Sequence, residues 1–183
     1  MDHRRSHGAG SETYRYCPRC GGGLGRRVLK PGEPTRLVCA DCEFVFYLDP
    51  KVAACTVSVL DGGIVLLRRS IDPGRGKWVF PGGFVDRGES VADAAVRETR
   101  EEANLEVSLI SVLDVYSYPG HEVVVVVYAA EVRGGELSAG DEADEARTFA
   151  PERIPWDELA FESTREALRE YVRRFFPRAR PTR

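Results

Sequence analysis

Residues 83–105 read GFVDRGESVADAAVRETREEANL, and the spacing of their carboxylates is the most informative pattern in the chain. Glu98, Glu101 and Glu102 stand at positions i, i+3 and i+4, so a helix places them on one face. Clustered carboxylates repel one another, and burial makes their charges costly. Oxygen ligands grouped in this way suit a hard cation such as Mg²⁺, especially one shared with phosphate oxygens. The stretch therefore predicts a metal site for phosphate chemistry.

The same stretch predicts a helix with defined ends. Ser90, followed three residues later by Asp93, makes a start similar to a capping box. Asn104 suits the other end, because asparagine tolerates the positive φ of a helix C′ position better than other non-glycine residues. A run of charges alone would also fit a solvated acidic face. The glycine-rich entry at residues 81–83 and the fixed spacing favour the metal site.

These residues resemble the Nudix box, G-x5-E-x7-R-E-U-x-E-E-x-G-U, in which U is an aliphatic residue. The leading glycine and every charged position of the box are present, namely Gly83, Glu89, Arg97, Glu98, Glu101 and Glu102. Two positions depart from it: Thr99 stands where an aliphatic residue is usual, and Asn104 replaces the closing glycine. A spaced pattern of this length is specific for the family.

The resemblance implies a hydrolase that cleaves a nucleoside diphosphate linked to another group, with Mg²⁺ or Mn²⁺ as the catalytic metal. It implies three glutamate ligands for that ion, Glu98, Glu101 and Glu102, with a backbone carbonyl at Gly82 or Gly83 as a further ligand. Glu89 and Arg97 are placed with the catalytic residues of the box, in a role that we expect to be structural. We expect Arg97 to orient a box carboxylate through a bidentate pair.

Many Nudix enzymes take a further glutamate from a late loop, as a metal ligand or general base. Residues 141–145, DEADE, form the candidate loop. Glu142 fits the family spacing to the strand containing Thr148 better than Glu145 does. A solvated acidic loop is the alternative for any one of these residues.

Substrate contacts are expected from cations and aromatic rings. Three cations are placed for phosphates, Arg68, Arg69 and Lys77. Tyr116 and Tyr118 are the predicted stacking residues for an adenine or flavin ring. Phe84 and Trp78 are further candidates, although an aromatic side chain is more often part of the core.

Two CxxC pairs lie upstream, and their four thiolates suit one tetrahedral Zn²⁺: Cys17, Cys20, Cys39 and Cys42. A redox function would need a single pair beside a βαβ pattern, and disulfides would need an oxidising compartment. We therefore predict a structural zinc ribbon, with strands at residues 28–30 and 36–38. Cys55 lies in an apolar strand pattern and is expected to be a buried, inert thiol.

The composition fits a small enzyme. The 183 residues carry 26 basic and 29 acidic side chains, a net charge of −3, which gives no pull toward nucleic acid or an anionic membrane. No apolar run approaches the roughly 18 residues of a membrane span. We expect a cytoplasmic enzyme with a nucleotide-type small-molecule substrate and no membrane or nucleic-acid partner; a homodimer stays open.

The predicted fold is α/β, a Nudix-type mixed β-sheet sandwiched between helices and preceded by a small zinc ribbon. Its predicted parts are a disordered tail at 1–14, the ribbon at 15–48, the Nudix domain at 49–177 and a basic tail at 178–183. Asp61-Gly62-Gly63 indicates a hairpin, and residues 155–159 suit a short helical turn. Residues 163–166, STRE, read as a capping box that opens a final helix.

Residues 46–51 resemble the ribbon-to-domain junction of zinc-ribbon Nudix hydrolases. Residues 154–163 are similar to the C-terminal part of a branch of these that includes FAD and ADP-ribose pyrophosphatases. An NADH pyrophosphatase is an alternative, but its SQPWPFPxS run is absent at residues 116–121. A nucleoside triphosphate or RNA-cap hydrolase is a second alternative. A third is a non-catalytic Nudix regulator that binds nucleic acid through basic residues of the ribbon.

Overall fold

The computed structural model describes residues 14–177, so the predicted tails lie outside the described residues except for Tyr14. The ring of Tyr14 packs edge-on against Phe46, with 5.0 Å between ring centroids. The chain divides into two units: Met1–Pro50 with Pro119–Glu122, and Lys51–Tyr118 with Val123–Arg183. Within the described range, every helix is too short or too polar to cross a bilayer.

The first unit contains a three-stranded antiparallel sheet. Its strands are β1 (Leu24–Arg27), β2 (Arg36–Cys39) and β3 (Val45–Phe46), in that order. The predicted second strand is confirmed, and the prediction of a first strand at residues 28–30 is wrong. Val28 and Leu29 are exposed and follow β1. Their apolar side chains suggested a half-buried strand, but in the structure neither side chain is buried in a core.

The second unit contains a seven-stranded sheet. Its strands are β4 (Lys51–Leu60), β5 (Gly63–Arg69), β6 (Trp78–Val79), β7 (Gly82–Phe84), β8 (Leu105–Tyr116), β9 (Val123–Gly135) and β10 (Ala143–Phe149). The main path is β10-β5-β4-β9-β8, with β6 paired to β5 and β7 paired to β4. β4 and β9 run parallel, whereas the other pairs are antiparallel, which confirms the predicted mixed sheet.

Two helices, α1 (Val91–Ala103) and α2 (Glu162–Phe175), cover opposite faces of this sheet. The side chains of β5 alternate between two cores. Ile64 and Leu66 join the core that includes residues of α2, whereas Val65 and Leu67 join the core that includes Ala103 of α1. A sheet buried on both faces explains the continuous apolar run of β5 and confirms the predicted sandwich.

The β4–β5 hairpin turns at Asp61 and Gly62, with φ of 51° and 80°. Positive φ at both central residues is the signature of a type I′ turn, whose twist matches the flanking strands. The hairpin prediction is therefore confirmed. The predicted helical turn near Trp156 is also confirmed, as a 3₁₀ turn at Trp156–Glu158 that follows another at Pro151–Arg153.

The start of α2 corrects the predicted capping box at residues 163–166. Phe161 is the N-cap and makes no side-chain capping bond. Ser163 and Thr164 lie inside the helix, and both are buried. Packing against the core therefore sets the first turn. The apolar side of the helix agrees with the sequence pattern, since Leu168, Tyr171 and Val172 are all buried.

Candidate active site

Helix α1 begins and ends where the sequence places its caps. The Ser90 hydroxyl accepts a hydrogen bond from the Asp93 N–H at 3.1 Å. Asn104 adopts φ 54° and ψ 34°, the left-handed conformation, and its N–H donates to the Arg100 carbonyl. Both capping predictions are confirmed. These caps fix the length of the helix that carries the three glutamates.

Arg97 connects three carboxylates, those of Glu89, Glu98 and Glu101. Its guanidinium binds both oxygens of Glu89, with Nε at 2.8 Å and Nη2 at 2.9 Å. Nη1 donates to Glu98 at 2.7 Å and to Glu101 at 3.1 Å. Nη2 also reaches the Phe84 carbonyl at 3.1 Å. The Arg97 hydrogen bond lowers the pKa of Glu89 to about 2.

The Gly82-Gly83 segment lies directly against the inner carboxylates. The Gly82 N–H donates to Glu102 Oε2 at 2.8 Å. A Cβ atom on Gly83 would lie 2.4 Å from Glu98 Oε2, closer than nonbonded atoms can approach. A side chain at position 83 would therefore have to displace the Glu98 carboxylate, whereas glycine leaves it in place. The loop and the helix together form one oxygen-rich surface.

Burial separates the three box glutamates into two kinds. The Glu98 side chain is only 14% exposed and Glu102 is half-buried, whereas the Glu101 side chain is 59% exposed. Burial raises the pKa of Glu98. Burial also raises the pKa of Glu102 to about 7, and the charges of Glu98 and Glu142 add to the rise. Two desolvated carboxylates that repel each other form a fitting site for a divalent cation.

Gly140 attaches the late acidic loop to the end of α1, a contact that sequence reasoning missed. Its N–H donates to the Glu102 carbonyl at 2.9 Å. A Cβ at this position would lie 2.4 Å from the Glu101 carbonyl oxygen, so only glycine permits this approach. The available signal was a glycine directly before the acidic run at residues 141–145.

This attachment brings Glu142 close to the box carboxylates. The Glu142 carbonyl accepts from the Ser70 N–H at 2.9 Å, which links the loop to the end of β5. Its charge contributes to the raised pKa of Glu98 and Glu102. Glu145, the alternative, instead forms an ion pair with Arg147. Of these two residues, Glu142 is the one whose charge raises the pKa of the box carboxylates.

The three predicted phosphate-binding cations do not share one face. Arg69 lies near the carboxylates, since its charge works against the rise in the pKa of Glu102. Arg68 precedes it on β5 and therefore points to the opposite face of the strand. Both use Nε to bind loop carbonyls, Arg68 at Gly76 and Arg69 at Pro73. Lys77 is exposed on the same loop.

Tyr116 and Tyr118 do not fit their predicted function in substrate stacking, and this part of the expectation is corrected. Tyr116 is 8% exposed within the main core, and burial raises its pKa to about 12. The Tyr118 hydroxyl donates to Glu166 of α2 at 2.8 Å, and its ring packs against the same core. Phe84 is the exposed aromatic beside the glycine segment, at 50% exposure.

The four ribbon cysteines meet at one point. Their Sγ atoms all lie within 4.8 Å of one another, with 3.3 Å between Cys20 and Cys42 and 3.8 Å between Cys17 and Cys42. A tetrahedral Zn²⁺ with Zn–S bonds of about 2.3 Å requires sulfur separations of about 3.8 Å, so the set fits zinc. The backbone N–H of Cys42 lowers the pKa of Cys39 to about 7, whereas the hydrogen bond with the Cys42 thiol raises the pKa of Cys20 to about 12, so the clustered thiols lose their protons unequally. All five cysteines are free thiols, and Cys55 is buried as predicted.

Comparison with protein-family models gives two matches. A model described as NUDIX domain matches residues 49–175. A model described as Nudix N-terminal, a zinc ribbon, matches residues 15–48. The two matched ranges contain the carboxylate cluster and the cysteine cluster respectively.

Three similar proteins illustrate the likeness. An ADP-ribose pyrophosphatase from Methanocaldococcus jannaschii is 40% identical over 136 residues, which are 72% of this chain and 78% of the relative. An NAD-capped RNA hydrolase NudC from Pseudomonas fluorescens is 29% identical over 176 residues, 95% of this chain but 62% of the relative. The crystal structure of a NUDIX hydrolase from Nitrosomonas europaea superposes with a TM-score of 0.85 at 30% identity, covering 93% of this chain and 97% of that one.

Proposed function

This chain belongs to the Nudix family, and on that premise we propose that it hydrolyses ADP-ribose or a related dinucleotide at the pyrophosphate. The proposal rests on one observation above all. The half-buried carboxylates of Glu98 and Glu102 lie against Gly82-Gly83, and burial raises the pKa of both. Such a pair is stabilised by a cation that a pyrophosphate can share. The Methanocaldococcus relative supports ADP-ribose as the substrate.

Glu98 and Glu102 would hold the catalytic ion, which we propose to be Mg²⁺ or Mn²⁺, with Glu101 and a carbonyl of the Gly83 segment as outer ligands. When bound, this ion would polarise the phosphoryl oxygens and lower the pKa of coordinated water. Arg97 keeps Glu98 and Glu101 in place through charge-assisted hydrogen bonds.

We propose Glu142 as the general base that takes the proton of the attacking water, because its loop is fixed to both α1 and β5. Arg69, which lies near Glu102, then neutralises phosphate charge. Lys77, exposed on the loop that Arg69 binds, is a second candidate for this role. Phe84 replaces Tyr116 and Tyr118 as the candidate for stacking on the base, because its ring is exposed.

A second candidate is hydrolysis of NADH or of an NAD-type cap on RNA. The observation in its favour is that the likeness to NudC includes the ribbon and spans 95% of this chain. The chain spans only 62% of that relative's length, so its activity does not carry over directly. Activity on capped RNA ends would contradict the expectation from the sequence that nucleic acid is not a partner.

A substrate panel distinguishes these functions. The purified protein with Mg²⁺ is given ADP-ribose, FAD, NADH, NAD-capped RNA and dGTP at matched pH, and kcat/KM is measured from nucleotide products. We expect ADP-ribose to give the highest value and to yield AMP, because two groups flanking the pyrophosphate contribute binding energy. A triphosphate more than tenfold better than every dinucleotide would contradict the proposal. No turnover of any substrate would favour the non-catalytic regulator.

We further propose a cytoplasmic homodimer. Four cysteines placed to hold zinc and one buried thiol, with no disulfide among the five, fit a reducing compartment. β8 is an edge strand of the sheet, and Ile110, Val112 and Val115 on it are each about half exposed. An exposed apolar edge strand is a ready surface for pairing with a second copy. Ile110→Lys should shift the mass measured by light scattering from dimer to monomer, and a monomeric wild-type protein would contradict the pairing.

A further inference from the structure

Thr99, which stands where the Nudix box has an aliphatic residue, makes a buried hydroxyl pair with Thr56. Both residues are fully buried, and their Oγ1 atoms are 2.7 Å apart. The Thr99 hydroxyl donates to the Ala95 carbonyl at 2.7 Å. Because that bond uses the Thr99 proton, Thr56 must be the donor in the pair. The result is a chain of two hydrogen bonds, which runs from Thr56 on β4 through Thr99 to a backbone carbonyl of α1.

Thr56 is also attached to the glycine segment. Its N–H donates to the Pro81 carbonyl at 3.0 Å, and the next residue, Gly82, donates to Glu102. Cys55 pairs with Gly82 in the β4–β7 ladder. One position of β4 therefore holds the loop through its backbone and the helix through its side chain.

Thr99 lies between the two buried carboxylates along α1. Glu98 precedes it, and Glu102 follows it by three residues on the neighbouring face. The charges of Glu98 and Glu142 both raise the pKa of Glu102, so these carboxylates repel one another when ionised, and that repulsion works against their close placement. An aliphatic residue at position 99 would resist only through nondirectional packing. Two hydroxyls resist sliding and rotation, since a hydrogen bond weakens steeply with misalignment.

We propose that the Thr56–Thr99 hydroxyl pair is a positioning device that sets the register of α1 on β4. It thereby holds the carboxylates of Glu98 and Glu102 close enough to the Gly82-Gly83 segment for one metal ion to bind both. Neither threonine touches the metal or the substrate, and both act through the carboxylates. The inference rests on the proposed function for its catalytic readout. Metal affinity measured without nucleotide tests it independently of the substrate.

The test compares Thr99→Val, Thr56→Val, the double variant and Thr99→Ser. Valine keeps the shape and removes the hydroxyl. Thr99→Val leaves the Thr56 hydroxyl unpaired, whereas Thr56→Val leaves the Thr99 hydroxyl bonded to the Ala95 carbonyl. Removing both hydroxyls is nearly neutral for folding. The double variant should therefore melt close to wild type in EDTA. We expect it to bind Mn²⁺, measured by calorimetry without nucleotide, about tenfold more weakly or worse, as for other groups that orient metal ligands.

In turnover with the best substrate, kcat should fall with the metal affinity while KM for the nucleotide stays within about twofold. Thr99→Ser keeps the hydroxyl and should restore both values. Ser58→Ala is the matched control: Ser58 is buried two residues along β4, and its hydroxyl has no hydrogen-bond partner among residues 14–177. It should leave Mn²⁺ affinity unchanged.

A double variant that melts like wild type and binds Mn²⁺ like wild type would overturn the proposal, since the pair would then be packing alone. Equal loss of Mn²⁺ affinity in Ser58→Ala would overturn it as well. If the wild-type protein binds Mn²⁺ but hydrolyses nothing, the proposed function fails while the affinity comparison still decides the positioning question.

Discussion

Gly83 and Glu98 are in such close contact that a single methyl group cannot fit between them. A Cβ on Gly83 would lie 2.4 to 2.6 Å from the three carboxylate atoms of Glu98. Gly83→Ala should therefore displace the carboxylate and lower kcat by about a hundredfold, the scale expected for a misplacement of about 1 Å. The measurement is kcat and Mn²⁺ affinity, with Gly25→Ala as the control, because a Cβ at Gly25 meets nothing within 4 Å. Wild-type kcat in Gly83→Ala would contradict the contact.

Arg97 should not be replaceable by lysine. Lysine keeps the charge but cannot bind Glu89 with two parallel bonds while also reaching Glu98 and the Phe84 carbonyl. We expect Arg97→Lys to lower kcat by roughly tenfold to a hundredfold, the range for loss of an orienting partner. Arg100→Lys, exposed on the same helix, is the control and should be neutral. Full activity in Arg97→Lys would show that the arginine is an ordinary surface residue.

The raised pKa of Glu102 gives the metal-free protein a characteristic pH dependence. Its pKa lies at about 7, above the ordinary 4.5, because the carboxyl is buried. Between these values the folded state holds a proton that the unfolded chain has lost, so this group makes stability fall as pH rises from about 4.5 to about 7. Glu102→Gln stays neutral and should not lose stability in this way.

The check is the urea midpoint in EDTA from pH 4.5 to 8. The midpoint of Glu102→Gln relative to wild type should increase across this window and level off above pH 7. Mg²⁺ should raise the wild-type midpoint at pH 8 and have a smaller effect on the variant. A constant difference between the two proteins at all pH values would contradict the raised pKa.

The sequence predicted the parts of the molecule that depend on local pattern. The caps of α1 at Ser90 and Asn104, the turn at Asp61 and the meeting of the cysteines all follow from neighbouring residues or fixed spacing. The substrate branch within the family was harder to predict from the sequence, because it depends on side chains that vary among proteins with the same fold. For Glu142, the sequence predicted the loop that contains it but not the residues that surround it in space.

The errors concern contacts between distant segments. Tyr116 was predicted to stack on substrate, but the face of β8 that it occupies is decided by irregular register near Leu113 and by packing against α2. Ser163 is a residue type that is common at helix N-caps, yet it lies inside the helix, where it is buried against the core. The Thr56–Thr99 pair joins residues 43 positions apart, and no local signal indicates it.

Zinc should be structural and confined to the ribbon. Metal analysis of protein purified without chelator should give about one Zn²⁺ per chain, because four thiolates fill a tetrahedral site. Cys39→Ser should lose the metal and unfold the ribbon, while hydrolysis by the second unit persists. Cys55→Ala, which removes the one thiol outside the cluster, should keep its zinc. Absence of zinc from the wild-type protein would contradict the ribbon assignment.

The most direct test of the central claim is kcat of Glu102→Gln with ADP-ribose at saturating Mg²⁺. Glutamine keeps the shape and can still accept from the Gly82 N–H, but it removes a charge from the metal site. The account predicts that kcat falls by about 10²- to 10⁴-fold, as for loss of a main electrostatic element, with Glu106→Gln unchanged as the exposed control. A Glu102→Gln enzyme within a few-fold of wild type would contradict the metal-dependent hydrolase described above.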